Sequence, residues 1–372
     1  HGPGPGGGSA GVRDGGPPAR LTVLRFAETE HVLLVALHRL VADESTLRMV
    51  VAETAEHYSA AVEGRDPDVP FVALQYRDYA RWEDERHAGS EIRALTAWWS
   101  AALTPPPPEL VLPGDRPADR EPSHAGGAVG FDWGRETAQR LREVCAAEAT
   151  DPADVLLTAF QALLFRHTGE ERIAVGHPVV ARPRPEFAHT AGPFANPLVL
   201  CADFAGAPTF RHMLARTALT RRAALDHRDL PFPTLVAALD VDRAAHRTPL
   251  YDASFACDEE PEPAPRFAGV SARPLDAPVT AVPSGLELRV RTAAETVAGT
   301  LAFRADQFGA ASAGRLLDQL RTLLDAALKD PDQPVAALPL ETPEQLRDAV
   351  RAADRVAEAP AVHPTVAAAA RH

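Results

Sequence analysis

Two contrasting apolar patterns lie side by side near the start of the chain. Residues 32–37 are apolar without interruption, which is typical of a strand buried in a sheet. From Leu47 onward the apolar positions recur at helical spacing until Gly64 stops the pattern, which predicts a helix over residues 45–62. Together with an earlier apolar run at residues 21–26, the pattern predicts two adjacent strands followed by a helix.

Downstream, similar patterns predict a mixture of helices and strands. Apolar and charged residues alternate over residues 286–290, and a second alternating run covers residues 297–303, so we expect paired strands with one buried and one solvated face. Leucines at helical spacing over residues 316–328 predict a core helix that ends at Asp330. Further helices are predicted near residues 135–147, 152–168, 209–226 and 233–239, and further strands over residues 173–180 and at the apolar run 253–256 that precedes Cys257.

Composition divides the chain into four parts. Its start is rich in Gly and Pro and has too few apolar residues to order itself. A proline run at residues 105–108, followed by a polar stretch to Gly127, indicates a subdomain boundary. The predicted parts are a disordered segment over residues 1–20, an N-terminal subdomain over 21–122, a C-terminal subdomain over 123–340, and a linker over 341–372 with an amphipathic helix at 343–356.

Composition and charge narrow the class of protein. A chain of 372 residues that is 45% hydrophobic and 24% charged is typical of a soluble globular protein. Its net charge of −13 argues against a nucleic-acid partner, and no apolar stretch approaches the roughly 20 residues of a membrane span. Cys145, Cys201 and Cys257 are widely spaced, which indicates reduced thiols in a cytoplasmic protein without a metal site. Lys329 is the only lysine, a bias that indicates a GC-rich, actinobacterial genome.

The chemistry of the chain is concentrated in the connection between the predicted strand and helix. His38 and Asp43 stand five residues apart there, in the kind of loop where sites for acyl chemistry are often built. Arg39 follows the histidine, and Glu44 follows the aspartate. A histidine at the end of a buried strand is either a catalyst or a hydrogen-bonded core residue. Arg39, Asp43 and Glu44 are predicted to form an ion-pair cluster that fixes the turn.

Residues 38–44 resemble the HHxxxDG signature of condensation domains from nonribosomal peptide synthetases, with Arg39 in place of the second His and Glu44 in place of the Gly. Other landmarks of that family recur in the same order along the chain. They are residues 75–82 (resembling QYxDYAxW), 112–117 (LPxDRP), 175–186 (the strand and loop before the next motif), 192–198 (GxFVNTL), 227–232 (HxDxPF) and 247–251 (RNPLF).

The resemblance implies an α/β (α+β) fold of two chloramphenicol-acetyltransferase-like subdomains in a V-shaped pseudo-dimer, with residues 38–44 at the floor of the cleft. The family carries a longer stretch before its first histidine motif, so the N-terminal half is expected to be incomplete. In condensing members the second His acts as a base or orients the nucleophile. Arg39 offers donors but no acceptor, so we expect no peptide-bond formation. The resemblance also places Arg182 near the centre, as a second partner for Asp43.

One branch of the family resembles this chain at the altered positions, namely the X-domain of glycopeptide antibiotic synthetases, which carries HRxxxD followed by an acidic residue. That branch lies between the last peptidyl carrier domain and the thioesterase. It recruits the cytochrome P-450 oxygenases that cross-link aromatic side chains of the carrier-bound peptide. The resemblance therefore implies a catalytically inactive recruitment platform with P-450 monooxygenases as partners. No cofactor of its own is expected, since haem belongs to the oxygenase and phosphopantetheine to the carrier domain.

Three hypotheses follow from the sequence. The domain is a recruitment platform, an active condensation domain that uses His38, or an inert spacer between carrier and thioesterase domains. Charged side chains across the cleft would favour the platform, whereas an open tunnel past His38 would favour the enzyme. Tyr76, Tyr79 and Trp82 recur at helical spacing and are predicted to pack the subdomain. No residue that contacts a partner is predicted from the sequence.

Overall fold

A computed structural model describes residues 17–87, 89–112, 114–115, 125–241, 248–259, 265–275, 279–348 and 351. Of the segment predicted to be disordered, residues 1–16 lie outside this description, and the first strand already begins at Ala19. Residues 343–348, within the predicted linker, are helical, while residues 352–372 lie outside the description.

The first third of the described chain consists of a hairpin and three helices. Its two strands pair antiparallel, with Leu21 opposite Val35, as the adjacent apolar runs predicted. Several apolar side chains of the hairpin stay at the surface, including Val23, which is 66% exposed, and Phe26, which is 68% exposed. The elements are β1 (Ala19–Arg25), β2 (His31–Leu37), α1 (Glu44–Glu63), α2 (Tyr76–His87) and α3 (Ser90–Ala102).

A six-stranded sheet forms the centre of the remaining chain, in the order β3-β8-β7-β6-β4-β5. The β4–β6 and β6–β7 pairs are parallel, and the other three pairs are antiparallel. The predicted pairing of residues 286–290 with 297–303 is confirmed, with Leu288 opposite Leu301. The strands are β3 (Gly126–Asp132), β4 (Arg172–Val180), β5 (Ala195–Asp203), β6 (Ala253–Glu259), β7 (Leu286–Ala293) and β8 (Thr296–Arg304).

Helices pack on this sheet and complete the core. The most deeply buried of them, Pro152–Thr168, contacts three other helices as well as β4 and β6, and its residues from Ala153 to Leu164 are all buried. A capping box of Asp151 and Asp154 starts this helix. The helices are α4 (Gly134–Glu148), α5 (Pro152–Thr168), α6 (Phe210–Asp226), α7 (Phe232–Ala238) and α8 (Ala310–Lys329). None of the described helices is long and apolar enough to span a bilayer.

The predicted α/β class is confirmed, and most of the predicted helices and strands lie within two residues of their observed bounds. Two strands were not predicted, and both are at an edge of the sheet. Glycines interrupt β3, and one of them, Gly127, makes room for the ring of Phe303 on β8. Pro197 interrupts β5. An edge strand tolerates a proline because the lost N–H would not have bonded a neighbouring strand on that side.

Close packing at the middle of β4 depends on a glycine. Gly176 pairs with strands on both sides, and the ring of Tyr251 covers it. A Cβ at this position would lie 2.3 Å from a ring carbon of Tyr251. The absence of a side chain at Gly176 therefore allows the ring of Tyr251 to lie directly against β4.

We expect the Gly176→Ala variant to lose about 1–3 kcal/mol of unfolding free energy, because its methyl group displaces the ring of Tyr251. The matched control is Gly314→Ala in α8, where a Cβ meets no atom within 4 Å and helix propensity favours alanine by about 0.5–1 kcal/mol. Urea denaturation of both variants measures the difference. Equal stability of the two variants would contradict the packing argument.

Candidate functional site

The connection between β2 and α1 holds the histidine in a fixed orientation. The backbone N–H of His38 donates to the carbonyl of Pro18, and its ring Nδ1 accepts a 3.1 Å hydrogen bond from the N–H of Leu40. An accepting Nδ1 places the proton of the neutral ring on Nε2. Neither ring nitrogen of His38 is then an open proton acceptor in this arrangement.

Arg39 is exposed and forms no ion pair with any carboxylate that the structure describes. Its charge acts on the phenol of Tyr251, which is partly buried. Burial and the nearby carboxylate of Glu287 raise the pKa of Tyr251 to about 12, whereas the positive charge of Arg39 opposes this shift. The predicted pairing of Arg39 with Asp43 and Glu44 is therefore not present, because both carboxylates are bound elsewhere.

Asp43 joins the start of α1 to a distant loop. As the N-cap of the helix, its Oδ1 accepts from the N–H of Thr46 at 2.8 Å. Its Oδ2 accepts from the N–H of Phe194, 151 residues away, at 3.0 Å. Both carboxylate oxygens are thus occupied by backbone N–H groups, and Asp43 has a structural role.

Two residues in the first turn of α1 make further contacts with the connection between β4 and β5. We call this set of contacts the junction. The Thr46 hydroxyl donates to the carbonyl of Gly192 at 2.8 Å and accepts from its N–H at 3.0 Å. The Ser45 hydroxyl accepts from the guanidinium of Arg182 at 2.8 Å. The start of α1 is therefore bound to the connection between β4 and β5 through the side chains of Asp43, Ser45 and Thr46.

Arg182 supports that connection rather than pairing directly with Asp43. Its other guanidinium nitrogens donate to the carbonyls of Phe187 at 3.1 Å and Thr190 at 3.2 Å, and its plane lies 4.5 Å from the ring centroid of Phe194. Burial lowers the pKa of Arg182, and the charge of Asp43 opposes this effect. The predicted interaction with Asp43 is thus an electrostatic one without an ion pair.

Glu44 forms its ion pairs with two arginines that were not predicted. It accepts a short hydrogen bond from Arg289 on β7 and a 2.8 Å hydrogen bond from Arg48, one turn along α1. Arg289 also lies 3.4 Å from Glu287. Although burial disfavours the charged carboxylate, the hydrogen bonds from Arg289 and Arg48 lower the pKa of Glu44 below its ordinary value. Sequence patterns gave no signal for Arg289, which is 245 residues away.

An aromatic cluster lies behind the junction. Tyr79 contacts the rings of Phe187 and Phe194 at centroid distances of 5.4 and 4.8 Å, and Tyr76 covers Gly192. The prediction that Tyr76, Tyr79 and Trp82 pack the subdomain is confirmed. Within the described residues, no group of three or more His, Cys, Asp or Glu side chains is arranged to hold a metal ion.

The sequence of this chain matches known peptide synthetases. Residues 12–348 match the family described as condensation domain. A linear gramicidin synthase polypeptide from Brevibacillus parabrevis is 32% identical over 354 residues, which are 94% of this chain and 5% of that protein. Phosphinothricin tripeptide synthetase PhsB from Streptomyces viridochromogenes is 34% identical over 337 residues, or 88% of this chain and 28% of that protein. The chain therefore spans less than a third of these relatives.

Solved structures resemble the fold. A complex of the X-domain and OxyB from teicoplanin biosynthesis matches with a TM-score of 0.78 and 26% identity, covering 87% of this chain and 73% of that chain. The crystal structure of the X-domain from teicoplanin biosynthesis matches with a TM-score of 0.77 and 27% identity, covering 86% of this chain and 74% of that chain. The condensation domain of the monacolin K polyketide synthase MokA, with a TM-score of 0.75 and 21% identity, shares the fold. The predicted condensation-domain fold is confirmed.

We expect Asp43→Ala to cost about 1–3 kcal/mol of unfolding free energy, because it removes the helix cap and one of the two acceptors of the buried Phe194 N–H, which also donates to the carbonyl of Gly192 at 3.2 Å. Asp43→Asn keeps an oxygen for the cap but loses the second acceptor, so its cost should be intermediate. Urea denaturation measures the order of stability of these variants. Asp66→Ala on the exposed loop is the control, and its unfolding free energy should lie within about 0.5 kcal/mol of wild type. Wild-type stability of Asp43→Ala would refute this role.

The lowered pKa of Glu44 predicts a pH-dependent contribution to stability. Because its folded pKa lies below the ordinary 4.5, the contribution is present above that pH and is lost as the pH falls through the folded pKa. We expect Glu44→Gln to be less stable than wild type by at most about 1 kcal/mol near neutral pH, since the pair is half exposed. This difference should shrink when the pH is lowered below 4.5 and through the folded pKa of Glu44. A difference that does not change between neutral pH and that lower pH in urea denaturation would contradict the assignment.

Proposed function

Because this chain belongs to the condensation-domain family of nonribosomal peptide synthetases, we propose that it forms no peptide bond and instead recruits cytochrome P-450 oxygenases to a carrier-bound peptide. The observation that carries the proposal is the chemistry of residues 38–44. The signature position of the second His holds Arg39, and the signature Gly is Glu44. Both changes act against acyl transfer, each in a different way.

The first change removes the base. An arginine stays protonated at every accessible pH and has five donors but no acceptor, so Arg39 cannot take a proton from an attacking amine. His38 does not replace it, because its Nδ1 already accepts from Leu40 and its Nε2 carries the proton. Loss of a positioned base costs a reaction of this type on the order of a hundredfold or more.

The second change introduces a charged bridge at the start of α1. Glycine at this position has no side chain, whereas Glu44 reaches Arg289 on β7 and Arg48 on α1. Arg289 is also held near Glu287, so the bridge is a network of alternating charges. Opening it for a substrate would break several charge-assisted hydrogen bonds at once. A charged network at the start of α1 supports the platform hypothesis, which expects charged side chains across the cleft.

The structural likeness supports the choice of partner. The X-domain from teicoplanin biosynthesis forms a complex with OxyB, and its two structures are 26% and 27% identical to this chain. We propose an equivalent role in glycopeptide antibiotic biosynthesis in the cytoplasm of an actinobacterium. Adjacent peptidyl carrier and thioesterase domains would supply the peptide and release it. The domain itself would need no cofactor, since haem is in the oxygenase and phosphopantetheine is on the carrier domain.

Condensation is the second candidate function. The peptide synthetases from Brevibacillus and Streptomyces are 31–34% identical to this chain, which is more than the X-domain structures are. Under this hypothesis His38 would be the catalytic residue, and Arg39 would stabilise the anion that forms on the thioester carbonyl.

Calorimetry of the domain with OxyB separates these functions. We expect OxyB to bind with a micromolar or lower Kd, serum albumin not to bind, and Arg39→His to bind as wild type does, because recruitment requires no chemistry at residues 38–44. In a parallel condensation assay with a carrier-bound aminoacyl thioester, wild type should form no amide. Amide formation that His38→Ala abolishes would establish the enzyme instead. Absence of both binding and amide formation would leave a spacer and refute the proposal.

A further inference from the structure

One histidine of the core has no part in the site at the start of α1. His177 lies on β4 and is only 8% exposed. Its Nδ1 lies 2.9 Å from the backbone carbonyl oxygen of Phe255 on the neighbouring strand β6, and the centroids of the two rings are 6.3 Å apart. A carbonyl oxygen only accepts, so Nδ1 carries the proton of the neutral ring. Nε2 is then the nitrogen at which the ring takes up a second proton.

The surroundings of this ring are poorly suited to a positive charge. Within the described residues, Nε2 forms no hydrogen bond, so a proton added there gains no acceptor from the protein. On the helices that pack against the sheet, two charged groups act on the ring, namely the guanidinium of Arg221 on α6 and the carboxylate of Asp154 on α5. A protonated His177 would therefore add a second cation to a part of the core that already contains Arg221.

The carboxylate of Asp154 is already bound on both oxygens. Its Oδ1 accepts from Nε of Arg221 at 2.5 Å, and its Oδ2 accepts from the hydroxyl of Thr150 at 2.9 Å. Asp154 is 4% exposed and belongs to the capping box that starts α5. Breaking a buried pair of this kind is costly, because each charge is left without compensation. A protonated His177 would compete with Arg221 for the carboxylate that joins α5 to α6.

We propose that His177 is an acid-sensitive switch in the packing of α6 against α5. With a neutral ring, the Arg221–Asp154 pair holds the two helices together beside β4. Uptake of a proton at Nε2 adds a positive charge that weakens this pair and loosens α6. The switch does not depend on oxygenase recruitment or on the chemistry of residues 38–44.

The direction of the pH dependence follows from the burial of the ring. Burial lowers the pKa of His177 below its ordinary 6.5, and the charge of Arg221 acts in the same direction, whereas the hydrogen bond to Phe255 and the charge of Asp154 oppose the shift. The loosened state binds the proton more tightly than the packed state. The packing is therefore fully stable above pH 6.5 and weakens as the pH falls below that value.

Hydrogen exchange of the full chain, measured by NMR as amide protection factors, tests the switch. We expect buried amides of α6, such as those of Leu214 and Thr217, to lose about fivefold or more in protection between about pH 7.5 and about pH 5.5, since uptake of one proton changes an opening equilibrium by up to about tenfold per pH unit. Amides of Leu320 and Leu323 on α8, which also packs on α5, are the internal reference and should change by less than about twofold. Equal losses in both helices would reveal a general effect of acid and overturn the switch.

A matched pair of variants assigns the effect to one side chain. His177→Asn keeps an N–H donor for the carbonyl of Phe255 but takes up no proton, so its α6 protection should be the same at both pH values. His212→Asn, at an exposed position of α6, should behave as wild type does. Protection of α6 that still depends on pH in His177→Asn would refute the proposal.

A measurement on the wild-type chain covers the case in which His177→Asn does not fold. The imidazole NMR signals of His177, identified by their proximity to the ring of Phe255, should titrate at a lower pH than those of a capped histidine peptide added to the same sample. Titration of both at the same pH would also overturn the switch.

Discussion

The position of α1 against the sheet depends on one carboxylate. Asp43 accepts the N–H of Thr46 with one oxygen and the N–H of Phe194 with the other, so the same side chain begins the helix and fixes the loop before β5. Without the carboxylate, the N–H of Thr46 would lose its cap, and the N–H of Phe194 would keep only its 3.2 Å hydrogen bond to the carbonyl of Gly192. The contacts from Ser45 to Arg182 and from Thr46 to Gly192 join the same two segments of the chain.

Because different residues of the motif have structural and chemical roles, the motif accommodates changes at positions 39 and 44. Asp43 and Thr46 hold the architecture, whereas Arg39 is exposed and makes no ion pair with any described carboxylate. A substitution at Arg39 therefore alters the available acid-base chemistry at little cost to folding. Glu44 is also partly exposed, and it reaches arginines that the fold already supplies. The side chains at these two positions can therefore differ without disturbing the junction, because the junction does not depend on them.

Local signals in the sequence were sufficient for most of the fold but not for the site. The leucine spacing of α8 and the alternation in β7 and β8 are properties of short segments, so single-sequence patterns reveal them. The strands β3 and β5 were missed because glycines and a proline obscure their pattern, and only pairing within the sheet makes them strands. The partner of Glu44 is a matter of tertiary distance, and no local pattern carries that information.

Hydrogen-bond satisfaction separates the structural residues of the motif from those that carry its chemistry. Both oxygens of Asp43 accept backbone N–H groups, so nothing remains for a ligand to provide. Arg39 lies in the same connection but is exposed, and within the described part of the chain it forms no ion pair with a carboxylate. A fully bonded carboxylate within the signature motif is therefore evidence for architecture. The exposed position beside it can carry a different side chain without disturbing that architecture.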